Sequence, residues 1–164
     1  MKRFTPGPGH EGDLRQALGQ FATGVTVITC RSDIGPVGIT ANSFASVSLD
    51  PPLVLWSPAR ASKRFPAFER AKTFAIHIVG EDQFSLCGRF AKVGDNFDGL
   101  DWYEGEQGVP LIEGCLARFE CIRHAIHDGG DHAIIVGQVI SASIKEGDPL
   151  VFSKGAYGGF TERG

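Results

Sequence analysis

From Gly38 to Pro58 the chain reads GITANSFASVSLDPPLVLWSP, and this stretch narrows the possible folds more than any other. Phe44, Val47 and Leu49 recur among Ser43, Ser46 and Ser48 at roughly the two-residue period of a β-strand, a spacing that a helix would scatter around its circumference. Asp50, Pro51 and Pro52 stop the pattern, because proline has no amide hydrogen and turns the residue before it away from helix. Leu53 to Trp56 then resumes it. Two strands around a firm turn are predicted, with one face able to pack while Thr40, Asn42, Ser43, Ser46 and Ser48 present hydroxyl and amide groups on a shelf that could hold a ligand. The same residues also suit an ordinary Ser/Thr-rich strand and turn.

The flanking segments point to more strands. Val25 to Thr29 is rich in β-branched residues and leads through Ser32, Asp33, Gly35 and Pro36 to Val37, a strand and turn that deliver the chain to the shelf. Further strands are expected over Thr73–Val79, Cys115–Ala125, His132–Ile144 and Pro149–Phe152. Three short helices are expected between them. One spans Asp13–Gln20, capped by Asp13, with Leu14, Leu18 and Phe21 packing as an apolar stripe. A second runs from Ser62 or Phe65 to about Ala71, and a third covers Glu81–Ala91 with Phe84, Cys87 and Ala91 on one face. Residues 92–114 hold many glycines and acids without a steady period and read as a long excursion of the kind that often borders a site. The predicted class is mainly β, an antiparallel barrel, closed or partly closed, with flanking helices.

With 164 residues, the chain fits one domain from residue 13 onward, after a glycine- and proline-rich tail over residues 1–12. A net charge of −3 argues against a polyanion-binding surface, so nucleic acid is not an expected partner. No run approaches the ~20 apolar residues of a membrane span, and the N-terminus lacks an apolar stretch of secretory length, so the expected location is cytoplasmic. Cys30, Cys87, Cys115 and Cys121 form no CxxC pair and sit among apolar neighbours; they read as reduced core residues.

Several polar groups are candidates for chemistry. Arg60, Ser62, Lys63 and Arg64 precede a predicted helix, where unpaired amides and the positive end of the dipole attract an anion; Ser62 could equally serve as a cap. His124, His127, Asp128, Asp131 and His132 invite a metal reading, but two histidines three apart point to opposite faces of a strand, and Gly129 and Gly130 break a helical alternative. No metal site is expected. DNFDGLD at 95–101 fails as a calcium loop because Phe97 occupies a ligand position. The terminal GAYGG, with Gly155, Tyr157 and Gly158, lacks the GxGxxG spacing of a dinucleotide-binding turn. Tyr157 could stack on a ring or plug a packing gap.

Five ordered pieces, FATGVTVIT at 21–29, GITANSFASVSLDPPLV at 38–54, FAIHIVGEDQ at 74–83, GDHAIIVGQV at 130–139 and PLVFSKGAYGGF at 149–160, resemble the flavin reductase-like family of small split-barrel flavoproteins. The resemblance covers roughly residues 13 to 160. It implies an FMN-binding split barrel of Greek-key antiparallel strands and an enzyme that moves a hydride from NADH or NADPH to FMN or FAD. In that picture Thr40, Asn42 and Ser43 lie on one side of the flavin ring and Ser46, Val47 and Ser48 on the other, with Thr23 to Thr26 near the same edge. Ser62 and Lys63 hold the phosphate, beside Arg60 of the same cationic segment, His132 positions the nicotinamide, and the Tyr157 segment closes over both. The resemblance further implies a homodimer and a separate monooxygenase supplied with reduced flavin. A flavin-binding protein without turnover and an FMN-dependent oxidase of a small molecule remain alternatives.

Overall fold

The computed structural model describes residues 1–164. In chain order the elements are α1 (Glu11–Leu18), β1 (Thr23–Gly24), β2 (Thr26–Ser32), β3 (Gly35–Ala41), β4 (Ala45–Leu49), β5 (Pro52–Trp56), α2 (Phe65–Arg70), β6 (Thr73–Ile78), a 3-10 turn (Glu81–Gln83) and α3 (Phe84–Lys92). β7 (Trp102–Glu104), β8 (Pro110–Ile112), β9 (Ala117–Gly129), β10 (His132–Ile144), β11 (Val151–Ser153) and β12 (Ala156–Gly158) follow. Seven strands form one antiparallel sheet in the order β3-β2-β6-β9-β10-β5-β4.

That order dictates curvature. Laid flat, six spacings of about 4.8 Å would separate β3 from β4 by roughly 29 Å. The two edge strands are nevertheless joined by Asn42–Phe44 alone, and four Cα steps from Ala41 to Ala45 span at most about 14 Å. The sheet therefore has to curl until its edges approach. No ladder joins β3 to β4, so the predicted barrel is mainly β and antiparallel but its sheet is not closed. The seam falls at the shelf.

The concave side holds Ile28, Cys30, Trp56, Phe68, Phe74, Ile76, Cys121 and Ile135, with Trp56 meeting Phe68 edge-on at 5.0 Å. β2 is buried on both faces, since Thr26 through Cys30 are all at or below 2% exposure. This suits its run of β-branched residues, in which Val27 and Ile28 are flanked by the buried Thr26 and Thr29. Val27 turns to a second core built with Val79, Leu86, Cys87, Phe90 and Phe97. The excursion supplies much of that outer cover: residues 92–114 contain the β7–β8 hairpin, whose Leu111 and Ile112 are fully buried. Thr29 donates its hydroxyl to the Pro110 carbonyl.

Other sequence expectations need correction. Helix α1 starts at Glu11, inside the stretch expected to be a tail, and Asp13 lies in its first turn rather than at its cap. Asp13 accepts from Lys2 and bonds to the His10 ring. Leu14, Leu18 and Phe21 do not pack inward; they are 37%, 65% and 79% exposed. The buried face of α3 is Leu86, Cys87 and Phe90, while Phe84 is exposed. β4 buries no face at all, and Val47 and Leu49 are exposed. It is an edge strand with a register shift between Ser46 and Ser48, which breaks the inward alternation. All four cysteines are free, with Cys115 less buried than the others. No helix is long and apolar enough to cross a membrane.

Candidate active site

The shelf is pinned from three sides. The Thr40 hydroxyl donates to the Cys87 carbonyl of α3 at 2.8 Å, and Thr26 of β2 donates to the Ala41 carbonyl at 2.7 Å. Ser43 Oγ accepts the Ser57 amide at 2.9 Å, beyond the end of β5. These hydroxyls brace the backbone of the shelf. The amides of Asn42, Ser43 and Phe44, by contrast, donate to no group of the protein. Backbone N–H groups are almost always satisfied by protein, water or ligand, so these three consecutive donors are open to water or to an acceptor-rich ligand.

Two clefts meet on this shelf. One, of about 260 Å³, is lined by Ile39–Ser43, Trp56–Ala59 and His132. The other, of about 230 Å³, is lined by Val25, Thr40–Asn42, Ala91, Phe152 and Tyr157. Thr40, Ala41 and Asn42 belong to both. Sequence reasoning missed Trp56, Pro58, Ala59 and Phe152 as lining residues, although Trp56 and Pro58 lie within the Gly38–Pro58 stretch and Ala59 directly follows it. Trp56 is fully buried and its indole N–H has no partner.

His132 opens β10 and is held by its neighbours. Ala133 donates to Pro58 at 3.1 Å and Arg60 donates its amide to the Asp131 carbonyl at 2.9 Å, which brings residues 58–60 against the start of the strand. His132 Nδ1 lies 2.7 Å from Asp131 Oδ1. A carboxylate can only accept, so Nδ1 carries the hydrogen and Nε2 is left for the cleft. The hydrogen bond from His132 holds the Asp131 carboxyl below its ordinary range.

Tyr157 reaches the second cleft through a tight hairpin. Ser153 pairs with Ala156 across Lys154 and Gly155, which have φ of 52° and 81°, the two positive values of a type I′ turn. β11 also pairs with β1, so Phe152 lies opposite Thr23. The Tyr157 ring meets Phe152 at 5.1 Å and Phe84 at 5.2 Å. It plugs a gap and lines the cleft at once. Burial raises the pKa of its hydroxyl.

The cationic segment divides. Arg60 pairs with Asp128 at 2.9 Å, donates to the Gly130 carbonyl and lies over the Phe65 ring. Ser62 Oγ accepts the Arg64 amide at 3.2 Å. Arg64 donates to the carbonyls of Gly38, Phe90 and Ala91, fastening α2 to β3 and α3. Lys63 is exposed and borders a third, larger cleft. Ser46, Val47 and Ser48 on β4 line neither shelf cleft.

This curled antiparallel sheet, with a backbone-lined seam between two clefts, is the architecture of a flavin reductase. Residues 18–161 match the family described as flavin reductase like domain, and the chain belongs to that family. It is 57% identical over 160 residues to FMN reductase (NADH) SmoA of Agrobacterium fabrum, covering 98% of this chain and 92% of the relative. It is 46% identical to the reductase subunit HsaB of a flavin-dependent monooxygenase from Rhodococcus jostii, covering 89% and 76% of the two chains. Among solved structures it is similar to the Streptomyces globisporus NADH:FAD oxidoreductase SgcE6 in complex with NAD and FAD fragments. That match has a TM-score of 0.89 and 38% identity, and it covers 97% of this chain and 98% of the other.

Proposed function

We infer that this protein is a flavin reductase that oxidises NADH or NADPH, reduces FMN or FAD, and supplies the reduced flavin to a separate monooxygenase. The observation that carries the reading is the row of free amides that begins at Asn42, a residue lining both clefts, and continues through Ser43, which lines the first, to Phe44. A flavin presents acceptor atoms along one ring edge, and when bound it supplies a hydride acceptor at N5. Donors aimed at that edge favour the negative charge that accumulates there on reduction. Braced by Thr26, Thr40 and Ser43, these donors need little reorganisation during the reaction.

Asn42 and Ser43 bind the ring edge through their backbone. His132, held by Asp131, orients the nicotinamide at the mouth of the first cleft, a task of alignment that needs no proton donor. Tyr157 closes the second cleft and limits water access. Ser62 and Lys63 receive the phosphate, with Arg60 ordering the loop from its pairing with Asp128. Ser46, Val47 and Ser48 sit on the edge strand beyond the clefts and contribute through the seam and its neighbours. The finer architecture is a split barrel whose split is this seam.

The protein acts as a homodimer. Val47, Leu49, Ile122, Ile126, Ile140 and Ile144 on β4, β9 and β10 are all exposed, and apolar surface of that extent on a soluble chain favours a covered face. The decisive assay mixes purified protein with NADH or NADPH and FMN or FAD and follows nicotinamide absorbance. Flavin-dependent oxidation is expected; no acceleration with any pairing would overturn the reading.

A further inference from the structure

The cleft beside His132 is too small for a whole nicotinamide nucleotide. At about 260 Å³ it falls below the ~300–1,000 Å³ of pockets that enclose a drug-sized ligand. Its lining, Ile39–Ser43, Trp56–Ala59 and His132, includes no aspartate, glutamate, lysine or arginine, which suits an uncharged dihydronicotinamide ring. A dinucleotide whose ring sits there carries its pyrophosphate and adenosine out over the rim. Its charges meet the residues around the cleft.

That rim is made by the β9–β10 turn and the loop after β5. Ala59 bridges to His132, and the Arg60 amide donates to the Asp131 carbonyl at 2.9 Å, so the two segments are fastened to each other. Within residues 58–60 and 128–132 the acids and bases apart from His132 are Arg60, Asp128 and Asp131. Arg60 Nη2 donates to Asp128 at 2.9 Å, and its Nε donates to the Gly130 carbonyl at 3.2 Å. Asp131 contacts His132 Nδ1 and no cation of the loop. Both carboxylates face solvent, Asp128 with 82% and Asp131 with 94% of its side chain exposed. One cation is engaged by one acid, and the second acid stands in excess.

NADPH differs from NADH by a single phosphate on the adenosine ribose, which adds about −1.5 to −2 charge at neutral pH. Recognition of such a group calls for an arginine or lysine free to donate to it. This rim offers an arginine already paired and a surplus carboxylate. Exposed charges act over roughly 8–10 Å at physiological ionic strength, so the added phosphate need not touch the rim to be repelled by it.

We propose that the Arg60–Asp128 pair sets the choice of nicotinamide nucleotide: with the guanidinium held on Asp128 and the Asp131 charge unmatched, the rim admits NADH and disfavours NADPH. The proposal rests on the flavin reductase reading and assigns the selection between its two electron donors to Asp128, acting through Arg60. The pair is exposed at the surface and contributes little to stability, so it can be opened in a folded protein.

The test uses the full chain with FMN as acceptor. The parent should show a kcat/KM for NADH about tenfold or more above that for NADPH, and the gap should narrow as salt is raised. Asp128→Asn leaves the Arg60 guanidinium at its Gly130 contact with Nη2 unpaired; the NADPH-to-NADH ratio of kcat/KM should rise about fivefold or more, through the KM for NADPH. Adding Arg60→Gln should return the ratio toward that of the parent. Calorimetric titration reads the same preference without turnover, and Asp128→Asn should tighten NADP⁺ binding about fivefold more than NAD⁺ binding. A parent that accepts both nucleotides equally or prefers NADPH would overturn the proposal. So would an Asp128→Asn effect that falls equally on both nucleotides, as a purely structural role predicts, a ratio that stays raised in the double variant, or no binding of either dinucleotide at millimolar concentration. If nicotinamide oxidation does not depend on flavin, the reductase reading fails, while the NADP⁺ and NAD⁺ titrations still report on the rim.

Discussion

The Ile112 amide donates to His77 Nε2 at 3.0 Å, while His77 Nδ1 lies 2.9 Å from the Val27 carbonyl. One nitrogen must accept and the other must donate, so the buried ring is neutral with its hydrogen on Nδ1. It links β2, β6 and β8. Burial pushes its pKa down to about 4, with the Arg118 charge adding to the effect.

This arrangement makes stability depend on pH. Between the ordinary histidine value near 6.5 and about 4, the unfolded chain binds a proton that the folded chain does not. The His77 contribution is therefore complete above pH 6.5 and is lost as pH falls to about 4, a loss of about 3 kcal/mol. Urea unfolding at a series of pH values should show this decline, and His77→Gln should flatten it over the same window. An equally steep profile in the variant would remove His77 as its source.

Gly38 should not tolerate a side chain. A Cβ there would stand 2.6 Å from the Phe90 ring, and Phe90 is fully buried. Gly38→Ala is expected to cost about 1–3 kcal/mol and lower the melting temperature by roughly 2–12 °C. A melting temperature equal to that of the parent would show that the ring can yield.

The phosphate assignment separates FMN from riboflavin. Lys63→Ala should weaken FMN binding by about tenfold, the equivalent of ~1.4 kcal/mol, and Ser62→Ala by less, because its hydroxyl is shared with the Arg64 amide. Riboflavin, which has no phosphate, should bind both variants as it binds the parent. Fluorescence titration measures all three; unchanged FMN affinity would place the phosphate elsewhere.

His132 should act on turnover. His132→Ala is expected to lower kcat about tenfold or more with a smaller effect on the KM for flavin, since a misaligned nicotinamide slows transfer without disturbing the shelf. Asp131→Asn should show part of the same loss by loosening the 2.7 Å contact that fixes the ring. A purely raised flavin KM in either variant would make His132 a flavin contact instead.

The dimer reading predicts an elution volume near twice the 17.6 kDa chain mass. Ile140→Glu and Ile144→Glu, both at exposed positions, should shift the protein toward monomer. A monomer at all concentrations would contradict it.

Much of this molecule is local enough to read in the chain. The β-branched run at Val25–Thr29, the proline stop at Asp50–Pro52 and the alternation before it specify strands and turns through backbone sterics that act over a few residues. The family pieces likewise carried the identity of the site region. Local pattern misled where burial was decided at a distance. Leu14, Leu18 and Phe21 have the spacing of a helical stripe, but the helix ends at Leu18 and all three side chains stay exposed, and the aperiodic 92–114 segment gains its β7–β8 hairpin by packing on β2 and β6. The shelf shows the division most clearly. Its residue types follow from sequence, but which hydroxyl groups brace the backbone is set by partners 14 and 47 positions away, Ser57 for Ser43 and Cys87 for Thr40. Only the curl that brings β3 back beside β4 leaves the Asn42–Phe44 amides without partners, because a hydrogen bond is assigned by distance in space, and sequence records none of those distances.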